Sequence, residues 1–204
     1  MTNRLRVAVL ALLILIAAVL FEQMGNNTAT DASKQDQVML NLFSLKTDQT
    51  WLIEVPKTEA KAALTRLSSD SDNYQVSGDY SYQEERGTVE LDYSKITPLP
   101  VGDVSQNMTF VAPFSVSNQG SGLFWYLGMF KLDIKSARVA QLDSLFLGDR
   151  IKIQSLSTDD PFDVSSAVKI NFLQHGEDQS MSETPAQQTE KIIKVGKSGF
   201  PAGY

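Results

Sequence analysis

The pattern of apolar and polar positions divides the chain into three regimes. In the first, residues 7–21 read VAVLALLILIAAVLF, an unbroken apolar run. Arg4 and Arg6 stand before it, Glu22 after it, and no basic residue follows until Lys34. A helix apolar on every face does not suit the surface of a globular core. Positive charge on the N-terminal side holds that end in the cytoplasm. The run predicts a transmembrane or signal helix over residues 1–22. It would place the rest of the chain on the periplasmic side of a bacterial inner membrane. Its fifteen apolar residues lie at the long end of a signal peptide's apolar stretch and short of the about 20 residues of a full span. Phe21, Glu22 and Gln23 spoil the near cleavage positions, and the one tolerable triplet, Thr30-Asp31-Ala32, is distant. An uncleaved signal anchor is the leading expectation; a soluble periplasmic protein after cleavage is the alternative.

The second regime, residues 23–36, reads QMGNNTATDASKQD. It is polar, small and without periodicity, as a flexible tether would be. The third is strand-like and predicts one exported β domain over residues 37–195. VMLNLFSL (38–45) and TWLIEV (50–55) suggest a hairpin across residues 46–49, ended by Pro56. Thr58 can cap a short helix carrying Ala60, Ala63, Leu64 and Leu67 at helical spacing. YQVSGDYSY (74–82) and TVELDYSKI (88–96) read as strands. In the latter, Val89, Leu91 and Tyr93 alternate with Thr88, Glu90 and Asp92, giving one dry and one wet face. MTFVAPFSVS (108–117) and LFWYLGMFKLDI (123–134) follow, the second apolar enough for a central strand buried on both faces. Then come residues 139–148, 150–157 and 168–174. Ile151, Ile153 and Leu156, and Val168, Ile170 and Phe172, mark their inward sides. KIIKV (191–195) suggests a final edge strand with charged ends, and residues 196–204 a loose tail. The fold class expected is mainly β: antiparallel sheets, sandwich- or open-barrel-like, with one short helix. Strand–helix alternation of the βαβ kind is missing.

Composition narrows the function. The 204 residues are 42% hydrophobic, enough for a real core, and carry a net charge of −6. An acidic chain argues against nucleic acid and against docking on anionic lipid through a basic patch. There is no cysteine, which excludes a lipidated terminus, disulfides and thiol chemistry.

The candidate chemistry is sparse. His175 is the only histidine, followed by Gly176, with Glu177 and Asp178 beside it. A carboxylate can orient an imidazole as a general base, but no nucleophile is placed by motif and one histidine supplies one metal ligand. Asp149 and Arg150 follow Gly148, where aspartate can bind turn amides and arginine can clamp a carboxylate. Gly120-Ser121-Gly122 lacks the spacing of a nucleophile elbow and reads as a sharp turn. Gly196-Lys197-Ser198 lacks the upstream glycine of a phosphate loop. The acidic loops at Asp70/Asp72 and Asp159/Asp160/Asp163 lack calcium-loop spacing. Trp125, Tyr126 and Phe130 are expected as core aromatics on a strand, Trp125 buried, with a ligand groove as the alternative. No metal and no cofactor is expected.

Three segments in order carry a resemblance. They are Gly120-Ser121-Gly122-Leu123-Phe124-Trp125-Tyr126-Leu127, Phe146-Leu147-Gly148-Asp149-Arg150-Ile151-Lys152-Ile153, and His175-Gly176-Glu177-Asp178 with Met181. Together, across residues 107–185, the chain resembles a class of small secreted or lipid-anchored bacterial proteins. That class has a glycine-serine-glycine turn into an aromatic strand, a leucine-glycine-aspartate-arginine turn and a histidine-glycine segment ending in methionine and paired cysteines. Here Ser182 and Glu183 stand where the class often has that pair. The resemblance implies export and a β module, and it implies no catalytic activity. The functional expectation is a non-enzymatic envelope protein acting through an envelope protein partner or a ligand. Candidate ligand or turn residues are Gly120, Gly122, Asp149, Arg150, His175 and Asp178. Two alternatives stand beside it: a periplasmic hydrolase using His175 with a nearby carboxylate, and a structural subunit of a membrane complex.

Overall fold

In the computed structural model the chain forms two compact units, Met1–Gln35 and Asp36–Tyr204. The structure describes residues 35–70, 73–102, 105–158 and 167–201. The apolar run 7–21 and nearly all of the tether lie outside the described residues. Among those described, no helix is long and apolar enough to cross a membrane.

The second unit is mainly β, and every strand pair is antiparallel. A short helix α1 (Gln37–Phe43) precedes β1 (Leu52–Glu54) and β2 (Lys61–Ala63), which form a hairpin of their own. The large sheet has seven strands: β3 (Arg66–Asp70), β4 (Asn73–Tyr82), β5 (Glu85–Asp92), β6 (Thr97–Leu99), β7 (Asn107–Asn118), β8 (Leu123–Asp133) and β9 (Arg138–Asp149). Its order is β3-β4-β5-β7-β8-β9, with β6 also on β7. β5 and β6 lie end to end along β7, separated by the one-turn 3-10 helix Tyr93–Lys95. Pro113 lies opposite that interruption, between the partners of Leu91 and Thr97. A proline without an N–H is tolerated where the ladder already breaks. A three-stranded sheet holds β10 (Lys152–Thr158), β11 (Ala167–Gln174) and β12 (Gln187–Lys194), with β11 central.

The large sheet is buried on both faces where β7–β9 run. On one face Phe110, Phe114, Phe130 and Leu132, with Val76, Val89 and Leu91, join Trp51 and Ile53 of the hairpin and Val38 and Met39 of α1. On the other, Val111, Leu127, Met129 and Leu147 pack on Val168, Ile170, Phe172 and Ile193 of the small sheet. The two-residue period of a strand explains the division: even positions of β7 and β8 serve the first core and odd positions the second. The double burial expected of residues 123–134 is found at Tyr126–Phe130, while Leu123–Trp125 are half-buried and Lys131 and Ile134 are exposed. β5 keeps the single dry face expected at Val89 and Leu91, which are buried. A bulge between Ile153 and Ser155 explains how Ile153 and Leu156, of opposite parity, both face the second core. β12 is an edge strand whose Lys191 shares a face with buried Ile193 and sits 5.6 Å from the Phe172 ring centre. Such an inward charge discourages further pairing.

Several expectations are corrected. Residues 38–45 are not a strand. Asp36 Oδ1 accepts the Met39 N–H at 2.9 Å, Ser44 ends the turn in the left-handed region (φ 57°), and residues 37–43 are helical. Val38, Met39, Leu42 and Phe43 then form one apolar stripe. The expected helix after Thr58 is absent. Thr58 Oγ1 donates to the Val55 carbonyl at 2.9 Å and accepts the Ala60 N–H at 3.1 Å, closing the β1–β2 turn. Ala62 and Leu64 are buried beyond it, and the backbone at Ala63 crosses β4 at Gly78. A Cβ on Gly78 would lie 2.0 Å from the Ala63 carbonyl oxygen, so only glycine allows the crossing. The expected loose tail is partly packed: the Phe200 N–H donates to Asp143 at 2.8 Å and Phe200 packs on the second core. Trp125 is half-buried against that core, whereas Trp51 is the fully buried tryptophan.

Candidate functional site

The three sequence segments that carry the resemblance meet at one end of the unit, and Arg150 joins them. Residue 150 follows β9 with φ 49°, a left-handed conformation unusual for a residue with a side chain. Its N–H donates to the Leu123 carbonyl at 2.8 Å, while the Leu123 N–H donates to Asp149 Oδ1 at 2.8 Å. This reciprocal pair fixes the register of β8 and β9 at their ends. The Arg150 guanidinium then donates to the Met181 carbonyl at 3.1 Å and to Ser121 Oγ at 3.4 Å. Asp149 Oδ2 stands 3.5 Å from it. Arginine was expected to clamp a carboxylate; its long-range partners are instead a carbonyl and a hydroxyl.

Gly120 and Gly122 occupy the turn between β7 and β8. The Gly120 N–H donates to Asn118 Oδ1 at 2.9 Å, and a Cβ on Gly122 would lie 2.5 Å from the Phe124 ring. The glycines let an aromatic side chain fold back over its own turn.

His175 and Asp178 belong to the loop between β11 and β12. His175 Nε2 lies 2.9 Å from the Glu183 carbonyl, which can only accept, so Nε2 carries the hydrogen of this bond. Its Nδ1 is buried and has no hydrogen-bond partner. Gln179 holds the loop from inside: its Oε1 accepts the Gly176 and Ala186 N–H groups at 3.3 Å, and its Nε2 donates to the Thr184 carbonyl at 2.5 Å. Asp178 is exposed in the turn Gly176–Gln179 and makes no hydrogen bond among the described residues. Arg150 and Gly120–Gly122 are therefore brought together, His175 is linked to them only through the loop backbone, and Asp178 stands apart. Asp72 and the loop of Asp159, Asp160 and Asp163 lie outside the described residues. Among those described, no three metal-binding side chains gather.

A second arrangement escaped sequence reading. The β1–β2 turn overhangs the large sheet and leaves a cleft of about 270 Å³ lined by Pro56, Tyr80, Glu85, Val116, Phe124 and Tyr126. Tyr80 donates its hydroxyl to Glu85 Oε1 at 2.5 Å. Burial, then this hydrogen bond, pushes its pKa up. Burial alone raises that of Tyr126. Tyr126 stacks on Phe114 at 5.4 Å and meets the edge of Phe146 at 5.4 Å. Lys57, at φ 66° in the turn, holds its ammonium 5.9 Å from the Phe146 ring centre. Of Trp125, Tyr126 and Phe130, only Tyr126 reaches this cleft; Phe130 is fully buried. A tyrosine at 80 and a glutamate at 85 gave no signal because they are ordinary strand residues until the hairpin closes over them.

Comparison with protein-family models, curated proteins and solved structures finds no match to this chain.

Proposed function

We propose that the chain is a non-enzymatic protein of the bacterial envelope, held at the inner membrane by residues 7–21, with its β domain acting on the periplasmic side through an envelope protein partner. One observation carries the reading: Asp149, Arg150 and His175, which looked most like chemistry, each bond to the protein itself, and the remaining His175 nitrogen, Nδ1, is buried away from solvent. Arg150 binds Met181 and Ser121, Asp149 binds Leu123, and His175 binds Glu183. A general acid or base needs a proton or lone pair free for substrate. Here these groups tie two loops into one rigid surface, on which Met181 is 40% exposed. Rigid loops with an exposed apolar side chain suit recognition.

The test uses full-length protein in membranes, crosslinked in place, with neighbours identified by mass spectrometry. One envelope protein should be recovered reproducibly with the wild type and lost with Met181→Glu at equal abundance. The protein should stay with the membrane through a salt wash, because an inserted apolar run outlasts surface attraction. Mature protein beginning near Ser33 would overturn the anchor. A His175→Ala variant that melts normally yet fails to restore function in a deletion strain would overturn the non-enzymatic reading.

A further inference from the structure

β1 and β9 each end a sheet, and they face one another across a seam that no main-chain hydrogen bond closes among the described residues. The Leu64 N–H donates to the Trp51 carbonyl and the Val55 N–H to the Ala60 carbonyl, both at 2.9 Å, so the odd residues of this strand spend their main chain on the β2 side. Along an antiparallel pair the alternate residues turn their N–H and C=O the other way. Leu52 and Glu54 therefore present theirs to the seam. At Glu54 the side chain of Gln141, on β9, answers: its Oε1 accepts the Glu54 N–H at 3.0 Å and its Nε2 donates to the Glu54 carbonyl at 3.5 Å. An amide side chain thus makes the two bonds that a residue of a neighbouring strand would make. Leu52 has no such partner among the described residues. The reach of the Gln141 side chain holds the strands wider apart than the about 4.8 Å of a paired ladder. Cavities lie on both sides of that amide: one of about 180 Å³ bordered by Leu52 and Arg138, and one of about 280 Å³ bordered by Pro56, Lys57 and Ser144.

We propose that an extended, acidic segment of a partner polypeptide adds to this seam as a strand, bonding Leu52 and Glu54 through its main chain and displacing the Gln141 amide. The occupant follows from the groups that face it. A strand edge is complemented by another extended main chain, and the rung already made at Glu54 shows that an amide fits there. The acidic character follows from charge. Glu54 is paired with Lys61 at 2.9 Å, and the Asp143 oxygens accept the N–H groups of Ser144 and Phe200. Arg138 at one end and Lys57 at the other form no ion pair among the described residues. The unanswered charges of the seam are thus positive on a chain of net charge −6, and carboxylates at the ends of the segment would meet them. Leu52, 42% exposed, adds apolar contact. The proposal rests on the reading above for the existence of a protein partner, and it places a contact on a surface separate from Met181.

The test is fluorescence anisotropy on the full-length chain in a non-ionic detergent, with a labelled peptide of sequence EVTVTVE, its analogue N-methylated at each valine, and the charge-reversed KVTVTVK. EVTVTVE should bind saturably. The N-methylated peptide keeps the side chains but lacks main-chain donors, and it should bind about tenfold more weakly or worse. KVTVTVK should bind several-fold more weakly. Gln141→Ala, which removes the competing amide, should tighten EVTVTVE several-fold. Leu52→Pro, which removes an N–H that the fold does not use, should weaken it at unchanged melting temperature. Met181→Glu should leave it unchanged, so that loss of the Met181 contact and loss of the seam are told apart. No saturation with EVTVTVE, equal binding of the N-methylated or charge-reversed peptide, or wild-type affinity in Gln141→Ala would overturn the proposal. Dimers of the protein alone that Leu52→Pro abolishes would give the seam to a second copy and overturn it as well. If Leu52→Pro fails to fold, Gln141→Ala and the N-methylated peptide decide.

Discussion

Trp51 is fully buried, yet its indole N–H finds no acceptor. It packs among Phe43 at 5.7 Å, Phe110 at 5.7 Å and Phe130 at 5.2 Å, the last two edge-on. Two substitutions separate its packing from its polarity. Trp51→Ala removes the whole side chain and should cost about 3–5 kcal/mol, a large share of the stability of an ordinary domain. Trp51→Phe keeps one ring in the cluster and removes the unpaired N–H. The gap it leaves, a few tens of Å³ at about 24 cal/mol per Å³, costs about 1 kcal/mol. Removing an unsatisfied buried donor returns about 1–3 kcal/mol. The two effects nearly cancel, so Trp51→Phe should lie within about 1 kcal/mol of wild type. The measurement is equilibrium urea unfolding followed by circular dichroism, compared at constant slope. A loss above about 2.5 kcal/mol in Trp51→Phe would refute the reasoning. It would mean that the N–H is held by the face of Phe110 or Phe130, an N–H···π contact.

Other expectations follow from single contacts. Gly78→Ala should destabilise strongly, by about 2–4 kcal/mol, because its Cβ meets backbone oxygen at 2.0 Å and backbone cannot rotate away; a melting curve within a degree or two of wild type would show that β2 can lift off β4. Arg150→Ala should speed protease cleavage and amide exchange within residues 176–186 while β8 and β9 stay protected, since the loop loses its Met181 carbonyl anchor. Asp79 has its pKa lowered by the Arg66 hydrogen bonds and then by Thr88. A carboxylate depressed in the folded state stabilises above its unfolded pKa, and that contribution is lost as pH falls through the folded value. Asp79→Asn should therefore flatten the acid limb of a stability-versus-pH curve below about pH 4, and an unchanged limb would remove Asp79 from the acid response.

How far the sequence reached depends on whether a signal was local or shared between distant segments. Double burial at Tyr126–Phe130 was legible because apolar side chains at both parities can be satisfied only between two layers. The wet face of β5 was legible for the converse reason. Residues 38–43 could not be assigned by apolar pattern alone, since a short apolar run suits either period; the Asp36 cap was the available local sign. Lys61–Ala63 went the other way. Its alanines favour helix, but three residues cannot hold a helix against pairing with β1 and burial of Ala62. The candidate residues at 120–122, 149–150 and 175–178 were nameable from motif. What Arg150 would bind was not, because Met181 lies 31 residues away and is reached through a backbone carbonyl that every residue has. The cleft of Tyr80, Glu85 and Tyr126 was decided wholly by tertiary structure. Those three residues stand on strands β4, β5 and β8, and the hairpin that closes over them must cross at Gly78. A side chain's period tells which face it takes, but only the packing of a second element onto that face decides which polar groups it meets there.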